Sequence, residues 1–542
     1  MARLHPLAPD QGLTRHRFGH APALWLALPL LLGGAVDQAW TPAAGLMLLA
    51  GGSLVMLAWF AADEERFSLA ALALGGIALG AAWHQVTAPP QGPILLRRPF
   101  AELSVRVERA NDRPDGEGWT GLGWVTDRDG GLFRRRLALS VRGAAPAAGA
   151  ELKIAGHLAN LPPDPRGYDA WVRSQGASLR LSGGRVLGEL APASPFRRWC
   201  QRAQLDLEAW LRTLPWDDPE GGALLAATML GRTALLPADA KAAFGETGTL
   251  HLFAISGLHI AGMAAALLWA ARRLRVPALP AGVGVLALLW LYVEITGASP
   301  SSVRAWIMTA FVWAGQAGER STPALQSLAL AAATTLLLDP EAVGDAGFQL
   351  SYAAVLAIVA AGAPAAELAG APTLEQRLTA PSAAGLRRRG RWWLRRFLVM
   401  GFCVSCAATL AGAPLSLAHF GRASWGGVVV NIVLVPLSEI PLVLGLVSAA
   451  ASPWPALLPI ASWFNGIAAL ALDAMTWLAT QAARMPWPEA SPGPVAPWTG
   501  ALGAGLLAAC FLAQAEARSV RRLLGVPAAL LALWWLLASI IA

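Results

Sequence analysis

Residues 250–270 read LHLFAISGLHIAGMAAALLWA. The stretch is apolar enough and long enough to span a bilayer, for which a helix needs about 20 such residues. Yet it keeps His251, Ser256 and His259, with Gly257 and Gly262 among them. Two imidazoles and a hydroxyl at membrane depth need a reason, because polar groups there usually face protein or water. On a continuous helix Ser256 and His259 lie about 60° apart and share a face. Three readings stay open: hydrogen bonds between helices, lining of a wet path, or a Ser/His nucleophile. A helical i, i+3 pair alone supplies neither an oxyanion hole nor an orienting acid.

The rest of the chain gives this stretch its setting. Of 542 residues, 55% are hydrophobic and 14% charged, and the mean hydropathy is +0.48. A soluble domain carries about 25% charged residues, so the composition predicts a polytopic helical membrane protein. The net charge is +8 and almost wholly arginine, since Lys153 and Lys241 are the lysines. Cys200, Cys403, Cys406 and Cys510 form no disulfide framework. Cys403 and Cys406 read as small packing residues, with no second pair at zinc spacing.

Apolar runs predict about thirteen spans, near 22–36, 42–62, 67–86, 250–271, 277–297, 302–318, 323–338, 345–362, 394–414, 424–450, 455–482, 494–515 and 521–541. The first is read as retained rather than as a cleavable signal. Between residues 97 and 190 the character changes. ELSVRVERA, WTGLGWVTD, FRRRLALSVRG and ELKIAGHL alternate apolar and polar residues with period two. That predicts about five half-buried strands in a small barrel or sandwich, outside the bilayer because open strands do not lie in lipid. Residues 195–248 read as amphipathic helices, either surface-lying or packed. The remaining divisions are 1–90 for the first helices, 250–515 for the main bundle and 516–542 for a last span.

Basic loops set the orientation. With the N-terminus cytoplasmic, ARRLR at 271–275, the connection at 363–393 and EARSVRR at 516–522 fall inside, and acidic DPEAVGD at 339–345 falls outside. The strand-rich domain and the C-terminus are then extracytoplasmic.

Other polar residues punctuate the spans. Glu294 and Arg304 flank ITGASPSS and are expected near each other at the outer ends of adjacent helices. Gln349 and Ser351 sit in DAGFQLSYAAVLAI, His419 in GAPLSLAHFG, Asn431 in WGGVVVNIVLVPL, with Glu439 after Pro436. Pro or Gly beside polar residues predicts broken helices around a polar cavity. No H-x-H, H-E-x-x-H or Walker A pattern occurs, so no metal, cofactor or enzymatic activity is expected.

These stretches resemble the ComEC family of competence proteins, the inner-membrane channel for DNA uptake in transformable bacteria. HLFAISGLHIAGMAA, GASPSSVRAWIM, DPEAVGDAGFQLSYAAVLAI and PLSLAHFGRASWGGVVVNIVLVPL resemble that family's membrane motifs, in its order. NLPPDPRGYDAWVRSQGASLRL resembles the end of its extracytoplasmic OB-fold domain. The H-x-H-x-D-H motif of the β-lactamase-like domain found in many members is absent, and the strand region lacks the cysteines some relatives pair there.

The resemblance implies passage of single-stranded DNA inward, with membrane lipid, a helicase-like motor, a DNA receptor and a separate nuclease as partners. Its expected path residues are His251, Ser256, Gly257, His259, Arg304, Gln349, Ser351 and Asn431. On the OB-like domain, Arg106, Arg109, Arg134, Arg135 and Arg136 are expected to meet phosphates and Trp119 and Trp124 to stack bases. Arg134 and Arg135 cannot share a face of one strand. The competing readings are a small-solute or lipid-linked transporter and an intramembrane hydrolase using Ser256 and His259.

Overall fold

The computed structural model describes residues 23–40, 47, 50, 53–54, 65–87, 99–113, 116–127, 132–162, 168–317, 324–370, 383–485, 489–490, 497–513 and 520–541. Most of the expected span 42–62 lies outside the described residues. The chain divides into two compact units: residues 1–88 with 307–343, and residues 89–306 with 344–542.

The smaller unit holds α1 (Leu24–Trp40), α2 (Glu65–Thr87) and α10 (Ala324–Leu338). α1 and α2 pack with no room for side chains between them: a Cβ on Gly80 would lie 2.7 Å from the Pro29 carbonyl oxygen. Its interior also buries charge. His84 Nδ1 lies 2.7 Å from Asp37 Oδ2 and Nε2 lies 3.7 Å from Glu341 Oε1. Gln85 donates to the other Asp37 oxygen.

The larger unit begins with a closed barrel of β1 (Phe100–Asp112), β2 (Gly118–Val125), β3 (Arg136–Arg142), β4 (Glu151–Asn160) and β5 (Ala177–Ala191). Its order is β1-β2-β3-β5-β4, closing on β1. β3 and β5 run parallel, and the other pairs are antiparallel. Alternation decides what goes inside. Val105 and Val107 are buried, and Arg106 between them is exposed. Leu137, Leu139 and Val141 join Trp119, Ile154, Leu179 and Leu181 in the core. Each fully buried Leu or Ile contributes about 1.5–3 kcal/mol. Gly123 is small because a Cβ there would meet Val105 and Leu139. A second cluster, Leu122, Ala138, Leu161, Val172 and Ala177, lies beneath α3 (Tyr168–Ser174).

α4 (Pro195–Leu211) starts at Ser194, whose hydroxyl accepts from the Arg197 N–H, with Pro195 in the first turn. It exposes Phe196, Trp199 and Leu205, as an amphipathic helix should. α5 (Pro219–Leu230) corrects the expectation for 195–248: Gly221, Gly222 and Leu224 to Leu230 are all buried, so it is a core helix. α6 (Ala238–Glu246) follows.

The expected helix over 250–271 is broken. Leu250–Phe253 forms one 3₁₀ turn, the chain is extended at Ala254, and α7 runs Gly257–Arg273. After it come α8 (Ala278–Ile295), α9 (Pro300–Ala317), α11 (Ala346–Ala369), α12 (Ala383–Phe420), α13 (Gly426–Ala451), α14 (Leu458–Ala483), α15 (Pro497–Ala513) and α16 (Val520–Ile541). The chain passes between the two units within α9. Short strands β6 (Ala423–Ser424) and β7 (Glu489–Ala490) pair in the loops. Among the described residues, five helices are long and apolar enough to cross a membrane: Ala278–Ile295, Ala346–Ala369, Arg389–Phe420, Gly426–Ala451 and Pro455–Ala483. Shorter apolar helices lie at Leu26–Asp37, Ala324–Leu338, Thr499–Ala513 and Arg522–Trp535. All four cysteines are free thiols.

Candidate functional site

The break in the opening stretch explains its polar residues. Ser256 is the N-cap of α7 and His259 is its third residue. The Ser256 hydroxyl accepts from the His259 N–H, and His259 Nδ1 accepts from the Ser256 N–H, both at 3.4 Å. This is a capping box with histidine where Glu or Gln is usual. The pair satisfies helix-end donors that have no other partner in an apolar setting. The imidazole that would activate the hydroxyl is therefore occupied by backbone, which corrects the nucleophile reading. His259 is fully buried, and its Nε2 has no hydrogen-bond partner among the described residues. His251 lies exposed on the 3₁₀ turn, its Nδ1 3.1 Å from the Gly248 carbonyl. Gly257 is exposed in the first turn.

Facing α7 is α13, which stays one continuous helix with Pro436 and Pro441 inside it, where the sequence predicted a break. It carries Asn431, whose side-chain oxygen is buried without a hydrogen bond among the described residues. Glu439 lies against α7 where a Cβ on Gly262 would stand.

A second polar group forms at the start of α11. Asp345 is its N-cap, accepting from the Phe348 N–H at 3.0 Å. The same carboxylate receives Arg304 Nη1 at 3.3 Å and Gln175 Nε2 at 3.0 Å. Arg304, Asp345 and Gln175 are at most 7% exposed. Gln349, one turn into α11, meets His419 Nε2 at 2.9 Å through its side-chain oxygen. Ser351 is half-buried beside it in sequence. Glu294 and Arg304, expected near each other, have different charged partners: Arg304 Nη1 lies 3.3 Å from Asp345 Oδ2. Glu294 instead faces Arg197 of α4 at 4.0 Å, because Asp345 already answers the Arg304 charge. Arg304 is not open to phosphates either: it is 4% exposed.

Gln175 carries this network into the barrel. Its carbonyl accepts from Arg136, which grips Glu108 with two nitrogens, one at 2.8 Å. The Arg136 guanidinium also lies 5.2 Å from the Trp124 ring centre. Burial would raise the Glu108 carboxyl, but the charge and hydrogen bonds of Arg136, with Arg109 and Trp124, outweigh it and hold the group below the usual carboxylate range. A second tie runs from Asp112 at the end of β1 to Arg232 at 3.3 Å, and from Arg232 to Glu208 of α4 at 2.6 Å.

Three barrel expectations are corrected by this geometry. Trp119 is fully buried in the barrel core and cannot stack on a base. Arg136 is 4% exposed and bound to Glu108, so it holds the barrel to the bundle rather than meeting phosphate. Arg134 and Arg135 precede β3 rather than lying on it; Arg134 sits in a turn with φ of 60°. Arg106 and Arg134 are exposed and Trp124 is half-buried. Sequence reading missed Asp345 and Gln175. Asp345 had a signal, a capping residue directly before an apolar helical run; Gln175 had none.

A membrane-helix bundle joined to a closed five-stranded barrel defines the class. A family model described as Competence protein matches residues 228–517, more than half of the chain. The chain belongs to this family, the ComEC-type competence proteins. It is 27% identical over 218 residues to ComE operon protein 3 of Bacillus subtilis (strain 168), covering 40% of this chain and 25% of that protein. It is 35% identical over 150 residues to Competence protein ComA of Neisseria gonorrhoeae, covering 26% of this chain and 21% of that protein. The match thus spans a quarter or less of each relative. No solved structure matches.

Proposed function

We propose that this chain passes single-stranded DNA inward across the bacterial inner membrane during natural transformation. Family membership and the likeness to a named competence protein support a place in competence. The barrel supports a nucleic-acid substrate, because small OB-like barrels combine basic grooves with aromatic platforms. In this reading the chain crosses the membrane about thirteen times, with the N-terminus cytoplasmic and both barrel and C-terminus extracytoplasmic. Residues 1–90 and 516–542 flank the 250–515 channel, with 97–190 as the OB-like domain and 195–248 as its link.

The observation that carries the reading is the continuous line Glu108–Arg136–Gln175–Asp345–Arg304. It fixes the barrel to the end of α11 where Gln349 and His419 meet. A strand leaving exposed Arg106 and Arg134 and half-buried Trp124 would reach neutral polar groups rather than rows of fixed cations. Conduction needs such weak binding, since a polyanion must also leave. Ser256, Gly257, His259, Gln349, Ser351 and Asn431 would line or shape the path; Arg304 would position its mouth. With no nucleotide-binding motif in the sequence, a helicase-like motor or a proton gradient supplies the pull, and a receptor delivers DNA.

Photo-crosslinking tests this reading. With a photoreactive residue at position 106 or 351 and DNA stalled in transit by a bulky end, both positions should crosslink to DNA. Crosslinks at neither would refute it. A solute-transporter reading shares the bundle physics but leaves the barrel without a task. The hydrolase reading loses its base to the capping box.

A further inference from the structure

Glu439 is the residue that DNA passage does not use. It lies midway along Gly426–Ala451, a helix long and apolar enough to cross the membrane. One carboxylate oxygen is packed onto Gly262 of α7, and a Cβ on that glycine would collide with it. The other oxygen is buried without a hydrogen bond among the described residues. No ion pair reaches Glu439 among the described residues. On α7, His259 lies three residues before Gly262, a spacing that places both on one face. Its Nε2 is also buried, with no hydrogen-bond partner within bonding geometry among the described residues. Pro436 and Pro441 lack N–H groups, so the carbonyls of Ile432 and Leu437, four residues earlier, lose their helical donors.

A bare carboxylate in such a place is costly. A proton removes the charge and gives the group a donor. We propose that Glu439 is a proton-binding site in the middle of the bundle. There the carboxylate and the carboxylic acid interconvert without other chemistry, and the site does not depend on the DNA reading.

Infrared pH titration of the full chain in lipid nanodiscs reads the site directly. A carboxylic-acid carbonyl band that follows pH should be present in the natural protein and absent from Glu439→Gln. Identical titrating bands in both would overturn the site. Gly262→Ala should shift that band at unchanged helix content, because the new methyl displaces a flexible carboxylate; an unmoved band counts against the packing argument. A band lost in the variant, together with normal DNA import in a strain lacking this gene, would keep the site and discard the DNA reading.

Discussion

Ser256 and His259 show how one spacing admits several readings until the backbone is known. Their spacing suggested a shared face on a continuous helix. The structure instead ends the extended chain at Ser256 and starts a helix there. Ser256→Ala should cost about 1 kcal/mol, the usual worth of a cap, and at most reduce DNA entry, since Ser256 shapes the path without reacting. Abolished entry at normal protein level would revive the nucleophile. Arg304 and Asp345 make a stronger prediction. Removing one partner leaves a buried charge, costing about 3–5 kcal/mol. Asp345→Asn with Arg304→Met should therefore destabilise less than the two single changes summed, measured as thermal midpoints in nanodiscs. Strict additivity would contradict the pairing.

Glu108 adds a pH dependence. Its carboxyl is held low in the folded barrel against about 4.3 unfolded. The unfolded chain binds the proton first, so stability is full above the unfolded value and is lost as pH falls through the folded one. Hydrogen exchange of β1 and β3 amides in the full chain should show this weakening. Glu108→Gln should flatten it; an unchanged profile would place the effect elsewhere.

Elements were legible in proportion to their periodicity. The strands of the barrel announced themselves by alternation, and Val105, Arg106 and Val107 fell on the expected sides. Long apolar runs marked α8 and α13 to α16 within a few residues, while α11 and α12 extend well past the apolar run. The break before α7 was hidden because Ala254 and Ile255 continue the apolar run, and apolarity says nothing about φ and ψ. α5 was misjudged for a related reason: its ends are polar, but its whole circumference is covered by neighbours. Trp119 was taken for a stacking platform because aromatic residues serve both uses; only the sheet's inward face decides. Trp119→Ala should unfold the barrel by about 3–5 kcal/mol, seen as lost exchange protection in β1 to β5. Retained protection would mean that the core tolerates the cavity.

At the scale of the whole molecule, polar residues far apart in sequence converge in ways no local pattern shows. Gln175 and Asp345 are separated by 170 positions and hydrogen-bond at 3.0 Å. The ordered membrane motifs pointed to the family, but not to the contacts that tie the barrel to the bundle. Those contacts make barrel and helices one device in our account, one end gathering the strand and the other passing it. The most direct test follows labelled double-stranded DNA in a competent host from which this gene is deleted. The account predicts label retained outside the inner membrane and none protected from DNase in the cytoplasm, restored by the natural gene. Cytoplasmic label unchanged by the deletion would contradict it.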